Sequence, residues 1–225
     1  MRRWSGTLPS AAIILGCTLT LSVPQLTAWA ADAATSSKDG LELKVKTKSR
    51  LVYVRPGATF NQFNKVAILD PYVEFSKDWL REYNRSVNVS RQIKDSDLEK
   101  AKQSLSEQFK KVLTRELEEG NYQVTESGGP GVLILRPALV NIAVSAPDLM
   151  TPGRTRVYAQ SAGAMTLYLE LWDEHMILAR VVDAQADRQA YGQLTSSVTN
   201  RAAADRIMRM WAEELRKKLD VAMGK

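Results

Sequence analysis

A chain of 225 residues, 44 % hydrophobic and 25 % charged, has ordinary globular composition and is long enough for one domain plus a short targeting segment. Its formal charge of +6 is spread along the chain and interleaved with acids; nucleic-acid binders concentrate basic residues in a stripe with aromatics, so no nucleic-acid partner is expected. The single cysteine, Cys17, excludes an internal disulfide.

Residues 1–30 read as a signal peptide. Arg2 and Arg3 form a positive start, Ala11 to Val23 an apolar run ended by Pro24, and Ala28-Trp29-Ala30 a small-residue site before a cut at Ala31. A charged start, an apolar run of about 7–15 residues and an A-x-A-like site are the three parts of a secretory signal. The run is too short to span a bilayer, which takes about 20 residues. A rival cut lies within it. Ile13-Ile14-Leu15-Gly16-Cys17 resembles a lipobox, in which Cys17 would become the lipidated first residue. The chain stays apolar past Cys17 as far as Val23, which favours loss of the cysteine with the leader. A lipid anchor at Cys17 is the alternative.

Residues 31–40, small and polar, read as a flexible tether, and residues 41–225 as a single domain. Leu41, Leu43 and Val45 alternate with Glu42, Lys44 and Lys46, the period-two pattern of a half-buried strand. Leu51 to Val54 forms a short strand before the Pro56-Gly57 turn. Lys65 to Leu69 reads as a buried strand ended by Asp70-Pro71, and Tyr72 to Phe75 as its extension. Phe75, Trp79 and Tyr83 have helical spacing. Ser96 and Glu99 fit a capping box for a helix with an apolar stripe from Leu98 through Phe109 to Leu117. Gly120 is placed to end it in the left-handed region.

Tyr122 to Val124 forms a short strand and Gly128 to Gly131 a turn. Val132 to Leu135 and Leu139 to Val144 are strand-like on either side of Pro137. Proline cannot donate to a ladder, so Pro137 predicts a bulge or an edge. Residues 145–162 are irregular and carry Arg154, Arg156 and Tyr158; such segments longer than about 12–15 residues are often functional. Next comes an antiparallel pair. Met165, Leu167, Leu169 and Leu171 share the core face, with Thr166, Tyr168, Glu170 and Trp172 opposite. Asp173-Glu174-His175 turns the chain, and Ile177, Ala179 and Val181 return along the core face. A basic amphipathic helix runs from about Asn200 to Ala222, capped by Thr199 or Asn200.

Strands in runs with two long helices predict an α+β fold: a mainly antiparallel sheet with both amphipathic helices packed on one face. The chemistry is sparse. His175, the one histidine, sits at a turn, and a Cys-free mature chain offers poor material for zinc. No G-x-S-x-G elbow and no phosphate-loop spacing occur. No catalytic residue, metal or cofactor is therefore expected. The leading reading is a non-enzymatic module that binds an envelope protein or a lipid-like ligand. Arg154, Arg156, Tyr158, Tyr168 and Trp172 are its candidate interaction surface. One alternative is an enzyme using Asp70, Asp173 or Asp183. Another is a membrane-surface protein held by lipidated Cys17 or by the basic last helix, since such helices can lie on anionic lipid.

Three stretches carry a family resemblance. Val54-Arg55-Pro56-Gly57 is followed by Phe63-Asn64-Lys65-Val66 and Leu69-Asp70-Pro71. The paired strands at 162–184 and the helix from Ala202 to Asp220 come later. In that order they resemble the bacterial domain-of-unknown-function 3313 family, with Phe63 where tyrosine is usual. The resemblance implies an exported protein of the Gram-negative envelope, often a lipoprotein, and it transfers no catalytic residues. It strengthens the lipidation reading of Cys17. The order of strands and helices is also like that of small envelope lipoproteins serving transport or assembly machines.

Overall fold

The structure is a computed structural model that describes residues 37–144, 157–158, 163–186, 194–195 and 197–225. Cys17, the cleavage residues Ala28, Ala30 and Ala31, and the loop residues Arg154 and Arg156 lie outside them, and Tyr158 is described in its backbone alone.

Stretches of period two alternate with stretches of period 3.6, and the elements follow. They are β1 (Glu42–Lys46), β2 (Arg50–Val54), β3 (Lys65–Ile68), β4 (Tyr72–Phe75), α1 (Lys77–Ser86), α2 (Asp95–Glu119), β5 (Gln123–Thr125), β6 (Val132–Val144), β7 (Val157–Tyr158), β8 (Gly163–Trp172), β9 (Ile177–Ala186), β10 (Leu194–Thr195) and α3 (Ser197–Met223). The fold is α+β. Its main sheet runs β1-β2-β9-β8-β6-β3-β5, with β4 also on β6. Contacts from β1 through β6 are antiparallel. β3 and β4 both lie parallel to β6, and β5 lies parallel to β3. The pair β7 and β10 forms a separate ribbon.

Pro137 marks neither an edge nor the bulge. It sits inside β6, opposite Leu169 of β8. Leu135 accepts a hydrogen bond from the Leu69 amide, so Pro137, two residues on, faces the same side. There β3 has ended, and the pairing of β4 starts only at Ala138. The missing N–H of proline faces a gap that needs no donor. This gap also makes Tyr72 to Phe75 a second strand and not an extension of β3. The bulge comes later. Register shifts between Val140 and Ala143, and Asn141 takes φ 54°.

Helices α2 and α3 bury their stripes in one cluster with strand residues such as Leu135, Leu139 and Leu167. Phe109 of α2 meets Trp211 of α3 edge to face, with centroids 6.4 Å apart. The predicted capping box does not form. α2 begins at Asp95, with Lys94 at the N-cap and no side-chain cap bond, so Ser96 lies inside the first turn. Asp95 and Asp97 there complement the positive helix end. Gly120 is not left-handed, with φ −82°; Asn121 takes that role at φ 58°. Glycine is favoured at 120 by crowding, because a Cβ there would lie 2.6 Å from Arg216 Cδ. α3 starts at Ser197, so Thr199 and Asn200 fall within it.

The β8–β9 pair buries Met165, Leu167, Leu169 and Leu171 as expected. A register shift opposite Leu171 and Trp172 changes the return strand. Leu178 joins the main core, while Ile177 turns to a small second cluster with Leu41 and Tyr53. Residues 37–40, read from sequence as the end of a tether, form a hydrogen-bonded turn. Arg55 of the Val-Arg-Pro-Gly stretch holds it, donating from NH2 to Asp39 O at 2.9 Å and from Nε to Ile177 O at 2.7 Å. Among the described residues, no helix is long and apolar enough to cross a membrane.

Candidate functional site

The three aspartates weighed for catalysis have separate structural partners. Asp70, its side chain 84 % exposed, pairs with Lys110 at 2.5 Å. Asp173 Oδ1 accepts from the amides of His175 and Met176, each at 2.7 Å, and so closes the β8–β9 turn. Asp183 is not at a strand end but within β9, fully buried. Its Oδ2 accepts from Arg50 NH2 at 2.7 Å and from the Trp211 indole at 2.8 Å, and Gln185 adds a bond at 3.1 Å. Arg50 also holds Glu214 on α3. The carboxylates of Asp183 and Glu214 keep its guanidinium charged by raising its pKa further. This network ties α3 to β2 and β9.

His175 is exposed at the turn, beside a shallow cavity of about 260 Å³ lined by Phe63, Gly129, Gly131 and Asp173. A second groove, about 520 Å³, lies between Ala58–Asn61 and the end of α3. Among the described residues, no group of three or more His, Cys, Asp or Glu side chains is arranged to hold a metal ion.

The most organised polar array lies on the sheet face opposite the buried side of β8. Alternation along β8 puts Tyr168, Glu170 and Trp172 on that face. Pairing sets Arg136 of β6 and Arg180 of β9 on either side of Glu170. Glu170 Oε1 accepts from Tyr168 OH at 2.9 Å and from Arg180 Nε and NH2 at 3.0 and 2.8 Å. Its Oε2 accepts from the Trp172 indole at 2.9 Å. Arg180 NH2 also reaches Asp39 at 2.6 Å. Each arginine lies over a ring: Arg180 over Tyr168 at 5.5 Å, Arg136 over Trp172 at 5.0 Å. Sequence reasoning named Tyr168 and Trp172 here and put Glu170 on the same face without giving it a role. It missed Arg136, Arg180 and Asp39. The short turn after Trp172 was a signal for the Glu170–Arg180 pairing; Arg136 had none.

Burial alone would raise the Glu170 pKa. The hydrogen bonds from Trp172, Arg180 and Tyr168, with the charge of Arg180, outweigh this and hold it below the usual 4.5. Burial, and then the bond to Glu170, pushes Tyr168 up to about 12. A carboxylate with a depressed folded pKa contributes stability above its unfolded pKa, and that stability is lost as pH falls through the folded value. Denaturation midpoints of the wild type should therefore drop as the pH is lowered past the usual 4.5 and through the depressed folded value. Glu170→Gln should lose about 1–3 kcal/mol at neutral pH and show a flatter acid limb. An equal acid slope in both proteins would refute the role given to Glu170.

A family model described as protein of unknown function (DUF3313) matches residues 31–215. No curated protein matches the chain. Three solved structures show distant likeness. A PelC dodecamer from Paraburkholderia phytofirmans is 9 % identical with a TM-score of 0.38, covering 76 % of this chain and 96 % of that one. A minor lipoprotein from Acinetobacter baumannii is 9 % identical with a TM-score of 0.32, covering 69 % and 94 %. A DUF4136 family protein from Bacteroides thetaiotaomicron is 10 % identical with a TM-score of 0.35, covering 82 % and 98 %.

Proposed function

The chain belongs to the DUF3313 family of proteins of unknown function, and from that starting point we propose that it is an exported cell-envelope protein that works by binding and not by catalysis. Its role is that of an accessory module for an envelope protein or a lipid-like ligand. The array of Tyr168, Glu170, Trp172, Arg136 and Arg180 carries this reading. Two rings and the Arg180 guanidinium are locked around one carboxylate on a sheet face, with Arg136 over the Trp172 ring beside them, which is an amphipathic surface of the kind enriched at interfaces. In this reading α2 and α3 cover one face of the sheet and leave the Tyr168 and Trp172 face for the partner. The leader at residues 1–30 supports export.

A photo-crosslinking residue in place of Tyr168, in the chain expressed in a Gram-negative host, tests the reading. A discrete adduct in the envelope fraction is expected, and it should be missing when the crosslinker replaces exposed Glu99 on α2. Equal labelling from both positions would overturn the proposal. Intact mass of the same material reads the start of the mature chain. Ala31 is expected. A lipid-modified Cys17 would replace soluble export with a membrane-anchored form serving an envelope transport or assembly machine.

A further inference from the structure

We propose that Arg136, placed over the ring of Trp172 at 5.0 Å, is a receptor for an anionic oxygen group, a carboxylate or phosphate, on the ligand that occupies this sheet face. The inference rests on the binding reading above and names the chemistry of that ligand.

The two arginines of the array make an internal comparison. Arg180 lies over a ring and is matched, since it donates to Glu170 and to Asp39. Arg136 lies over a ring and is unmatched. It is exposed, and among the described residues its guanidinium has no hydrogen-bond or ion-pair partner and lies over the face of Trp172. Glu170 stands directly across from it in the β6–β8 register but is already engaged, accepting four hydrogen bonds. The bond from the Trp172 indole to Glu170 also fixes the ring on which Arg136 rests. The result is a planar fork of N–H donors, oriented by an anchored indole and open to solvent. That geometry suits two-point contact with a carboxylate or phosphate. Further along the same face of β6, Ala138 and Val140 are uncharged and half-buried, and they offer apolar surface to the body of the ligand.

The test uses the chain from Ala31 onward with nitrogen-15 in the indoles of Trp79, Trp172 and Trp211, and Trp172→Phe identifies the Trp172 signal. Inorganic phosphate should shift that signal, and rising salt should weaken the effect. Arg136→Ala should weaken binding about ten-fold or more, and Arg136→Lys should give an intermediate loss, because it keeps the charge without the fork. Flotation with phosphatidylglycerol or phosphatidylcholine vesicles separates the sources. Binding to phosphatidylglycerol alone, lost in Arg136→Ala, identifies a lipid headgroup; a response to phosphate without vesicle binding identifies a soluble ligand. Silence of the Trp172 signal towards both phosphate and phosphatidylglycerol, or an unchanged response in Arg136→Ala, would overturn the inference. In that event a surviving Tyr168 crosslink would leave the broader binding reading standing. Loss of the crosslink with an intact phosphate response would do the reverse.

Discussion

Asp183→Ala should lower the folding stability by about 3 kcal/mol, read as a lower urea midpoint at unchanged m. The Asp183 carboxylate is fully buried in β9 and accepts from Arg50, Trp211 and Gln185. Removing it strands the Trp211 and Gln185 donors and halves the anionic charge around Arg50. The loss falls at the lower end of the buried-pair range of about 3–5 kcal/mol, because Arg50 is 25 % exposed and keeps Glu214. Asp183→Asn retains an acceptor and should cost less. Asp70→Ala removes the exposed pair with Lys110 and should change stability by under about 1 kcal/mol. A loss below about 1 kcal/mol for Asp183→Ala would mean that the network is no more than a surface pair.

Trp211→Ala should cost about 3–5 kcal/mol, the range for deleting a buried large aromatic. Trp211 is buried among residues of the main core, packs against Phe109 of α2, and donates to Asp183. Trp211→Phe keeps most of the packing and loses the donor, for about 1–2 kcal/mol. Because Asp183 and Trp211 share that bond, Trp211→Phe should cost less in an Asp183→Ala background than alone. Strict additivity would show that the indole packs on α2 without depending on the carboxylate.

Much of the architecture was legible because its signals are local. The alternation from Met165 to Trp172 assigned both faces of β8. The spacing of Phe109, Val112, Leu113 and Leu117 marked the buried stripe of α2. The errors arose where a neighbour overrides the local pattern. Gly120 looked like a left-handed cap, yet Arg216, far along the chain, is what crowds it. Ile177 looked like core by period two, yet one register shift moved it to the second cluster.

The sequence by itself determined the types of the longer elements and the face on which Tyr168 and Trp172 stand, since each depends on residues within a few positions of one another, and it pointed to the family through three separate stretches in a fixed order. The tertiary structure decided which charges meet. Arg50 and Asp183 are 133 residues apart, and Asp183 and Trp211 are 28 apart. The pairing of β6 with β8 puts Arg136 across from Glu170 and over Trp172. Register between distant strands is set by how their buried faces fit together and not by the residues beside each charge. For that reason Asp183 read as one of three candidate acids in the sequence and proves in the fold to be a buried tie between sheet and helix.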